Sequence, residues 1–184
     1  TGFVSNMLGG GNRPTSSNSE QSRVPSSPEN KVKQALKDYV NPKDADSQAA
    51  AKDVINNYKE GPPLAGIINE GYYLSKAAGN GDLEAVKFFQ EKGASIDYPS
   101  LSKQTALMAA VEKGYSDVTV YLVQQKAELN RQDGKGETAL MKEVNRIADL
   151  PKDKEVGFGV VILLIQNGAD TSLTNKAGNT ALTI

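Results

Sequence analysis

Cysteine, histidine and tryptophan are all absent from this 184-residue chain, and aromatic residues make up only 6% of it. Without cysteine there can be no disulfide, no thiol nucleophile and no Cys-ligated zinc. Without histidine the commonest general base and metal ligand is missing. A core poor in aromatics and built on Ala and Leu suits thin layers of packed helices better than a thick globule. Charge of either sign is not in excess: 21 Lys and Arg face 22 Asp and Glu, for a formal net charge of −1. Phosphate backbones call for a clustered Lys/Arg surplus, so nucleic acid is not expected as a partner. Long apolar runs are also absent. The longest, Val160-Val161-Ile162-Leu163-Leu164-Ile165, has the length of one buried helix face and falls short of the roughly 18 residues of a membrane span. The missing cysteine suits an exported compartment, periplasmic in a bacterium, though a cytoplasmic one is compatible. Thr1 at the start is expected either from removal of an export signal or from trimming of the chain.

Three regions follow from the order of residues. Residues 1–28 read as a flexible tail: Gly9-Gly10-Gly11 leads into a stretch rich in Ser, Asn and Pro, with too few apolar groups to offset ordering entropy. Phe3, Val4, Met7 and Leu8 form a small apolar patch ahead of it. Residues 29–70 read as a helical cap. Its first helix is capped by Ser27, has Pro28 at its first position and Glu29 at the positive end of its dipole. Val32, Ala35, Leu36, Tyr39 and Val40 form its apolar stripe, and Asn41-Pro42 stops it. A second helix is expected from about Asp46 to Lys59. Its buried face would be Ala50, Val54, Ile55 and Tyr58, with Gly61 as C-cap. A short third helix follows Pro62-Pro63 through Ile67-Ile68.

Residues 71–184 repeat. Thr-Ala-Leu occurs at Thr105-Ala106-Leu107, Thr138-Ala139-Leu140 and Thr180-Ala181-Leu182, at intervals of 33 and 42 residues. Counting 33 back from Thr105 reaches Tyr72, in Tyr72-Tyr73-Leu74. Other features keep the same phase: a turn glycine at Gly81 and Gly114; Gly93-Ala94, Lys126-Ala127 and Gly168-Ala169 at helix ends; and the tips Asp133-Gly134-Lys135-Gly136 and Asn175-Lys176-Ala177-Gly178, where Gly permits positive φ. The second helices carry Val86, Phe88 and Phe89; Val118, Tyr121, Leu122 and Val123; and Val161, Leu163, Leu164 and Ile165. The nine extra residues fall in the third unit, as an insertion near 145–157. Its first helix is expected to run on through Val144, Ile147 and Ala148 into a loop at Asp149-Leu150-Pro151-Lys152-Asp153-Lys154. The fourth unit is partial, ending at Ile184 inside its first helix, which leaves Val161, Leu164 and their neighbours half covered.

These residues resemble the ankyrin repeat, whose pattern runs Asp-x-x-Gly-x-Thr-Pro-Leu-His, small residues, Gly, an apolar helix and Gly-Ala-Asp. Ala stands for the family's Pro, Met108 and Met141 for its His, and Glu143 occupies the place of Ala110, where close helix packing is in question. The resemblance implies an all-α ankyrin-repeat solenoid with short hairpin loops, preceded by the non-repeat helical cap. It implies binding of another protein through the hairpin tips and the exposed face of the first helices. Carried over by position, the tips offer Tyr98, Leu101, Lys103, Arg131, Lys135, Glu137, Lys176 and Asn179. The helix face offers Lys76, Met108, Glu112, Lys113, Lys142 and Arg146. Tyr98, Leu101 and Met108 stand out, because interface energy concentrates in a few large anchors.

Enzymatic chemistry finds no support, and no cofactor or metal is expected. Gly9-Gly10-Gly11-Asn12-Arg13 lacks the Gly-Lys-Ser/Thr of a phosphate loop. Asp44 and Asp46 read as capping charges, and Ser172 with Lys176 as a turn. The favoured function is binding and inhibition of one partner enzyme. The chain looks like bacterial self-protection ankyrin proteins, whose partners are exported peptidoglycan peptidases or other hydrolases. The alternative is a scaffold or host-directed effector fragment that tethers a complex without inhibiting it.

Overall fold

The computed structural model describes residues 27–151 and 157–184. Among them the chain is all helical, with helices in the order α1 (Pro28–Val40), α2 (Ala45–Asn56), α3 (Leu64–Glu70), α4 (Tyr73–Asn80), α5 (Leu83–Glu91), α6 (Ala106–Lys113), α7 (Ser116–Gln124), α8 (Ala139–Ala148) and α9 (Gly159–Gln166). None of the described helices is long and apolar enough to cross a membrane. The proposed tail patch at Phe3, Val4, Met7 and Leu8, and the Lys152-Asp153-Lys154 part of the insertion, lie outside the described residues.

α1 begins as its sequence dictates. The Ser27 hydroxyl accepts from the Asn30 amide at 3.2 Å, one of the donors a helix start leaves unpaired. Val32, Ala35, Leu36, Tyr39 and Val40 are all buried. Tyr39 packs on Phe88 and Phe89, at ring-centroid distances of 4.9 and 5.6 Å, and so joins the cap to the first repeat unit. α2 departs from expectation. Asp44 caps it, Asn57 ends it, and its buried residues are Ala51 and Ile55. Ala50 and Val54 face outward and Tyr58 is half-buried. Packing on α1 selects the 51/55 stripe over the equally spaced 50/54 stripe. Gly61 has a left-handed φ of 115°, but in the turn beyond the helix.

The repeat frame is a packing frame. In the first two Thr-Ala-Leu triplets the threonine caps a helix: the hydroxyls of Thr105 and Thr138 accept from the amides of Met108 and Met141, at 3.4 and 3.3 Å. The Ala and Leu that follow are buried in α6 and α8. Gly81 and Gly114, at φ of 75° and 77°, turn the chain between the helices of a pair. Gly93, Lys126 and Gly168 repeat a second left-handed position, which glycine adopts freely and lysine only at a cost. The next residues, Ala94, Ala127 and Ala169, are buried. α4 packs on α6 and α6 on α8, while α5, α7 and α9 form the outer row.

Hydrogen bonds recur between units in the same frame. The amides of Glu128 and Asp170 reach back to side-chain oxygens of Asp97 and Asn130 in the preceding unit, at 2.9 and 2.8 Å. The amide of Ser95 reaches Asn69, at the end of α3, at 3.0 Å. α3 thus supplies to the first unit what each unit supplies to the next.

Regularity declines toward the end. α8 runs on through Val144, Ile147 and Ala148, as expected, making it longer than α4 and α6. In α9 only Leu164 is fully buried; Val161 and Leu163 are half-buried and Ile165 is exposed. Residues 181–183 form a turn rather than the start of a helix, and Leu182 is 81% exposed where its counterpart Leu140 is 2% exposed.

Candidate interaction groove

Beside the inner row of α4, α6 and α8 stands a row of fingers, the loops that precede α6 and α8 and the loop before residues 180–184. Each closes on itself alike. The amides of Ser100, Asp133 and Asn175 donate to the carbonyls of Gln104, Glu137 and Asn179, at 2.9, 3.0 and 2.9 Å. The side chains of Asp133 and Asn175 each accept two backbone amides within the loop: those of Lys135 and Glu137, and those of Ala177 and Asn179. Neighbouring fingers are tied by backbone bonds from Gly134 to Ser102 at 2.7 Å and from Lys176 to Lys135 at 3.0 Å. Gln132 adds a bridge, donating to the carbonyls of Gly136 and Thr174. The fingers are therefore ordered by their own hydrogen bonds and present a fixed edge.

Fingers and inner helices enclose two concavities that share Glu112. One, of about 500 Å³, lies between α4, α6 and the first finger, and is lined by Tyr72, Ser75, Lys76, Gly79, Asn80, Ser100, Ser102, Gln104, Ala109, Glu112 and Lys113, with Asn41 at its edge. The other, of about 510 Å³, lies against α8 and is lined by Glu112, Lys135, Glu137, Lys142, Asn145, Arg146, Asp149 and Leu150. The two meet at Glu112 as the two halves of one groove. Above the first half, Tyr72 stacks on Tyr98 with ring centroids 6.3 Å apart. Leu101, between the groove-lining Ser100 and Ser102, is 89% exposed.

The wall at α8 is built around Lys142. Its ammonium lies 2.9 Å from Asp133, 3.2 Å from Glu112 and 3.4 Å from Glu137, so one cation ties α6, α8 and a finger. Burial alone would lower the Lys142 pKa, but the Asp133 hydrogen bond and the surrounding carboxylates raise it above the usual lysine value. Burial works against the Asp133 charge too, yet the Lys142 hydrogen bond and the amides of Glu137 and Lys135 hold its carboxyl below the usual range. Glu143 is 1% exposed and is held by a two-point pair with Arg146, at 2.8 and 2.7 Å. This resolves the packing question at that position: the carboxylate fits where Ala110 stands in the previous unit because Arg146 neutralises it in place.

The structure sorts the residues proposed from sequence. Lys76, Lys113 and Glu112 line the first half of the groove, and Lys135, Glu137 and Arg146 the second. Tyr98 and Leu101 stand on the first finger, and Lys103 there holds a left-handed φ of 62°. Lys176 and Asn179 lie exposed on the last finger. Met108 does not belong with them. It is 1% exposed and, with Met141, packs in the core; the methionines that replace the family histidine face inward because a thioether has nothing to gain from water. Lys142 is likewise buried and engaged as a structural tie. Arg131 is half-buried, pairs with Glu128 at 3.3 Å and lines neither half of the groove. Tyr72, Ser100, Ser102 and Gln104 were not singled out from sequence. Their signal was the repeat phase itself, which places Tyr72 and its loop neighbours beside the first finger.

Residues 65–145 match the family model described as Ankyrin repeats (3 copies). The matched stretch runs from α3 into α8, so the inner helices and first two fingers of the groove lie within the ankyrin repeats. Ankyrin repeats are protein–protein interaction modules and are typically not catalytic. Among the described residues no cluster of acidic side chains is arranged to hold a metal ion. The chain is 31% identical over 121 residues to a Plasmodium falciparum (isolate 3D7) protein named as an E3 ubiquitin-protein ligase; this is 62% of the chain and 1% of that protein. It is 34% identical over 71 residues to serine/threonine-protein kinase 12 of Arabidopsis thaliana, covering 39% of the chain and 16% of the kinase. The chain thus spans a small fraction of either relative, and these similarities lie at the scale of an ankyrin array.

Proposed function

We propose that the groove seats one partner protein, that the partner is an enzyme, and that binding restrains it. The observation that carries this reading is Leu101, a large apolar side chain almost wholly in water, on a finger closed by backbone bonds and between two residues that line the groove, Ser100 and Ser102. Ordered apolar anchors next to a concavity are where binding energy concentrates, and a surface that needs no rearrangement loses little entropy on binding. A preformed projection flanked by a groove suits occlusion of a partner's active site. The partner class in this reading is an exported hydrolase such as a peptidoglycan peptidase, with the complex in the periplasm or another exported compartment, as for self-protection proteins. The test uses wild-type and Leu101→Asp proteins as baits against an envelope extract, followed by assay of the retained hydrolase with and without added wild-type protein. Retention by wild type alone, with activity suppressed at stoichiometric addition, is expected. Failure to retain any hydrolase, or retention with undiminished activity, removes the inhibitory reading.

A second reading has its own support. In the relatives named as a ligase and a kinase, the part matched by this chain is a small portion of a far longer protein. An array used in that way tethers a complex without blocking a site. Retention of a partner with unchanged activity is the result that favours it.

A further inference from the structure

We infer that the α4–α6 half of the groove takes an acidic segment of the partner, with carboxylates set beside one large apolar side chain. The inference rests on the groove being a protein-binding surface and adds the chemistry of its occupant. Two lysines, Lys76 and Lys113, line this half, and both are exposed. Neither has a carboxylate within ion-pair distance among the described residues, although Lys33, Lys87, Arg131, Lys142 and Arg146 all do. Lys76 instead lies 5.0 Å from the Tyr73 ring centroid, which fixes its position without neutralising it.

The carboxylates nearby are already engaged. Glu112, the one acidic side chain lining this half, accepts from Gln104 at 2.6 Å and from Lys142 at 3.2 Å. Asp133 and Glu137 turn to Lys142 and are largely buried. The groove therefore meets an incoming chain with uncommitted positive charge on Lys76 and Lys113, while its nearby carboxylates are already engaged: Glu112 by Gln104 and Lys142, Asp133 and Glu137 by Lys142. The rest of this half is uncharged, and Ser75, Gly79, Ser100, Ser102 and Ala109 are small enough to leave room for an extended backbone. Tyr72 lines this half and pairs with Tyr98, and Leu101 stands between the lining Ser100 and Ser102, so apolar surface for a side chain next to the carboxylates adjoins the lysines. Complementary charge of this kind sets partner choice and orientation more than raw affinity.

The test titrates fluorescein-labelled capped peptides into the full chain: glutamates around one phenylalanine, the same peptide with lysines for glutamates, and the same with glutamines. An oligothymidylate of equal length is the fourth probe. Binding is read by anisotropy, and location by amide chemical-shift changes. The glutamate peptide is expected to bind, to weaken with added salt, and to lose affinity by about tenfold or more in the Lys76→Glu/Lys113→Glu protein. It is expected to keep its affinity in Lys87→Glu, on α5, with thermal melting of both proteins confirming that they fold. Equal or tighter binding of the lysine or glutamine peptide in the groove overturns the acidic assignment while leaving the groove a protein-binding surface. Binding of oligothymidylate in place of the glutamate peptide overturns it in favour of a polyanion. Absence of groove shifts with every peptide overturns both this inference and the reading it rests on.

Discussion

Replacing Lys142 with methionine keeps the length and apolar stem of the side chain and removes only the ammonium. What remains is Asp133, with 8% of its side chain exposed, and Glu137, at 16%, facing each other without the cation that joins them. Removing one partner of a buried ion pair costs about 3–5 kcal/mol, because the other charge stays buried and unpaired. Two features lower that figure here. Asp133 keeps the Lys135 and Glu137 amides, at 2.8 and 3.0 Å, and Glu112 is 47% exposed and can turn to water. A loss of about 2–3 kcal/mol at neutral pH follows, or roughly 5–10 °C in Tm for a domain of this size. The sign of the pH dependence is distinctive. The Asp133 pKa is depressed in the folded protein, so its contribution is fully present above the unfolded carboxylate value of about 3.9 and is lost as pH falls through the folded value. In Lys142→Met the Lys142 part of that contribution is gone, while the Lys135 and Glu137 amides remain. The stability difference between the two proteins should therefore shrink as pH is lowered from about 5 to about 3. Urea unfolding followed by circular dichroism across this range measures it. A loss below about 1 kcal/mol at pH 7, the size of an exposed ion pair, or a difference that does not change with pH, would refute the account of the network.

Further outcomes follow from the same geometry. Lys126→Gly relieves the left-handed φ of 66° at the position glycine holds in the units on either side and should raise stability by about 1 kcal/mol in the same urea assay. Arg146→Ala leaves the Glu143 carboxylate buried and unpaired and should cost about 3 kcal/mol. Arg146→Ala/Glu143→Ala should recover most of that loss, because the earlier unit has Ala110 in the Glu143 position, and a double-mutant cycle measures the coupling. Leu101→Asp should change Tm little, since the side chain makes no core contact, yet weaken partner binding at least tenfold by calorimetry.

Much of the array was legible because its signals are local and repeated. Thr105 and Thr138 announce helix starts through their own hydroxyls, the alanine and leucine after each are buried by the neighbouring unit, and Ser27-Pro28-Glu29 begins α1 by cap, ring and charge. What was misread depends on partners distant in sequence. In α2 the pairs Ala50/Val54 and Ala51/Ile55 have identical spacing, and only contact with α1 separates them. Met108 was placed outside because the family histidine stands there. Yet Met108 and Met141, an apolar pair repeating at the unit length, carried the mark of inter-unit packing. Lys142 read as a surface charge because its three carboxylates come from α6 and from the finger ahead of α8, and only the fold gathers them around it. The groove's position followed from the resemblance to ankyrin repeats; its uneven charge required the side chains in place. The narrower likeness to self-protection inhibitors has no counterpart in the family match or the relatives.

The central claim is that the groove between the fingers and the inner helices is where this protein meets another protein. Site-specific photocrosslinking in the source cells tests it most directly, with benzoylphenylalanine placed at Leu101, at Lys113 and, as a control on the outer row, at Val120. The account predicts one shared partner band from positions 101 and 113 and none from 120, with the 113 crosslink weakened by Leu101→Asp. A partner captured from 120 and not from 101 or 113 would contradict it.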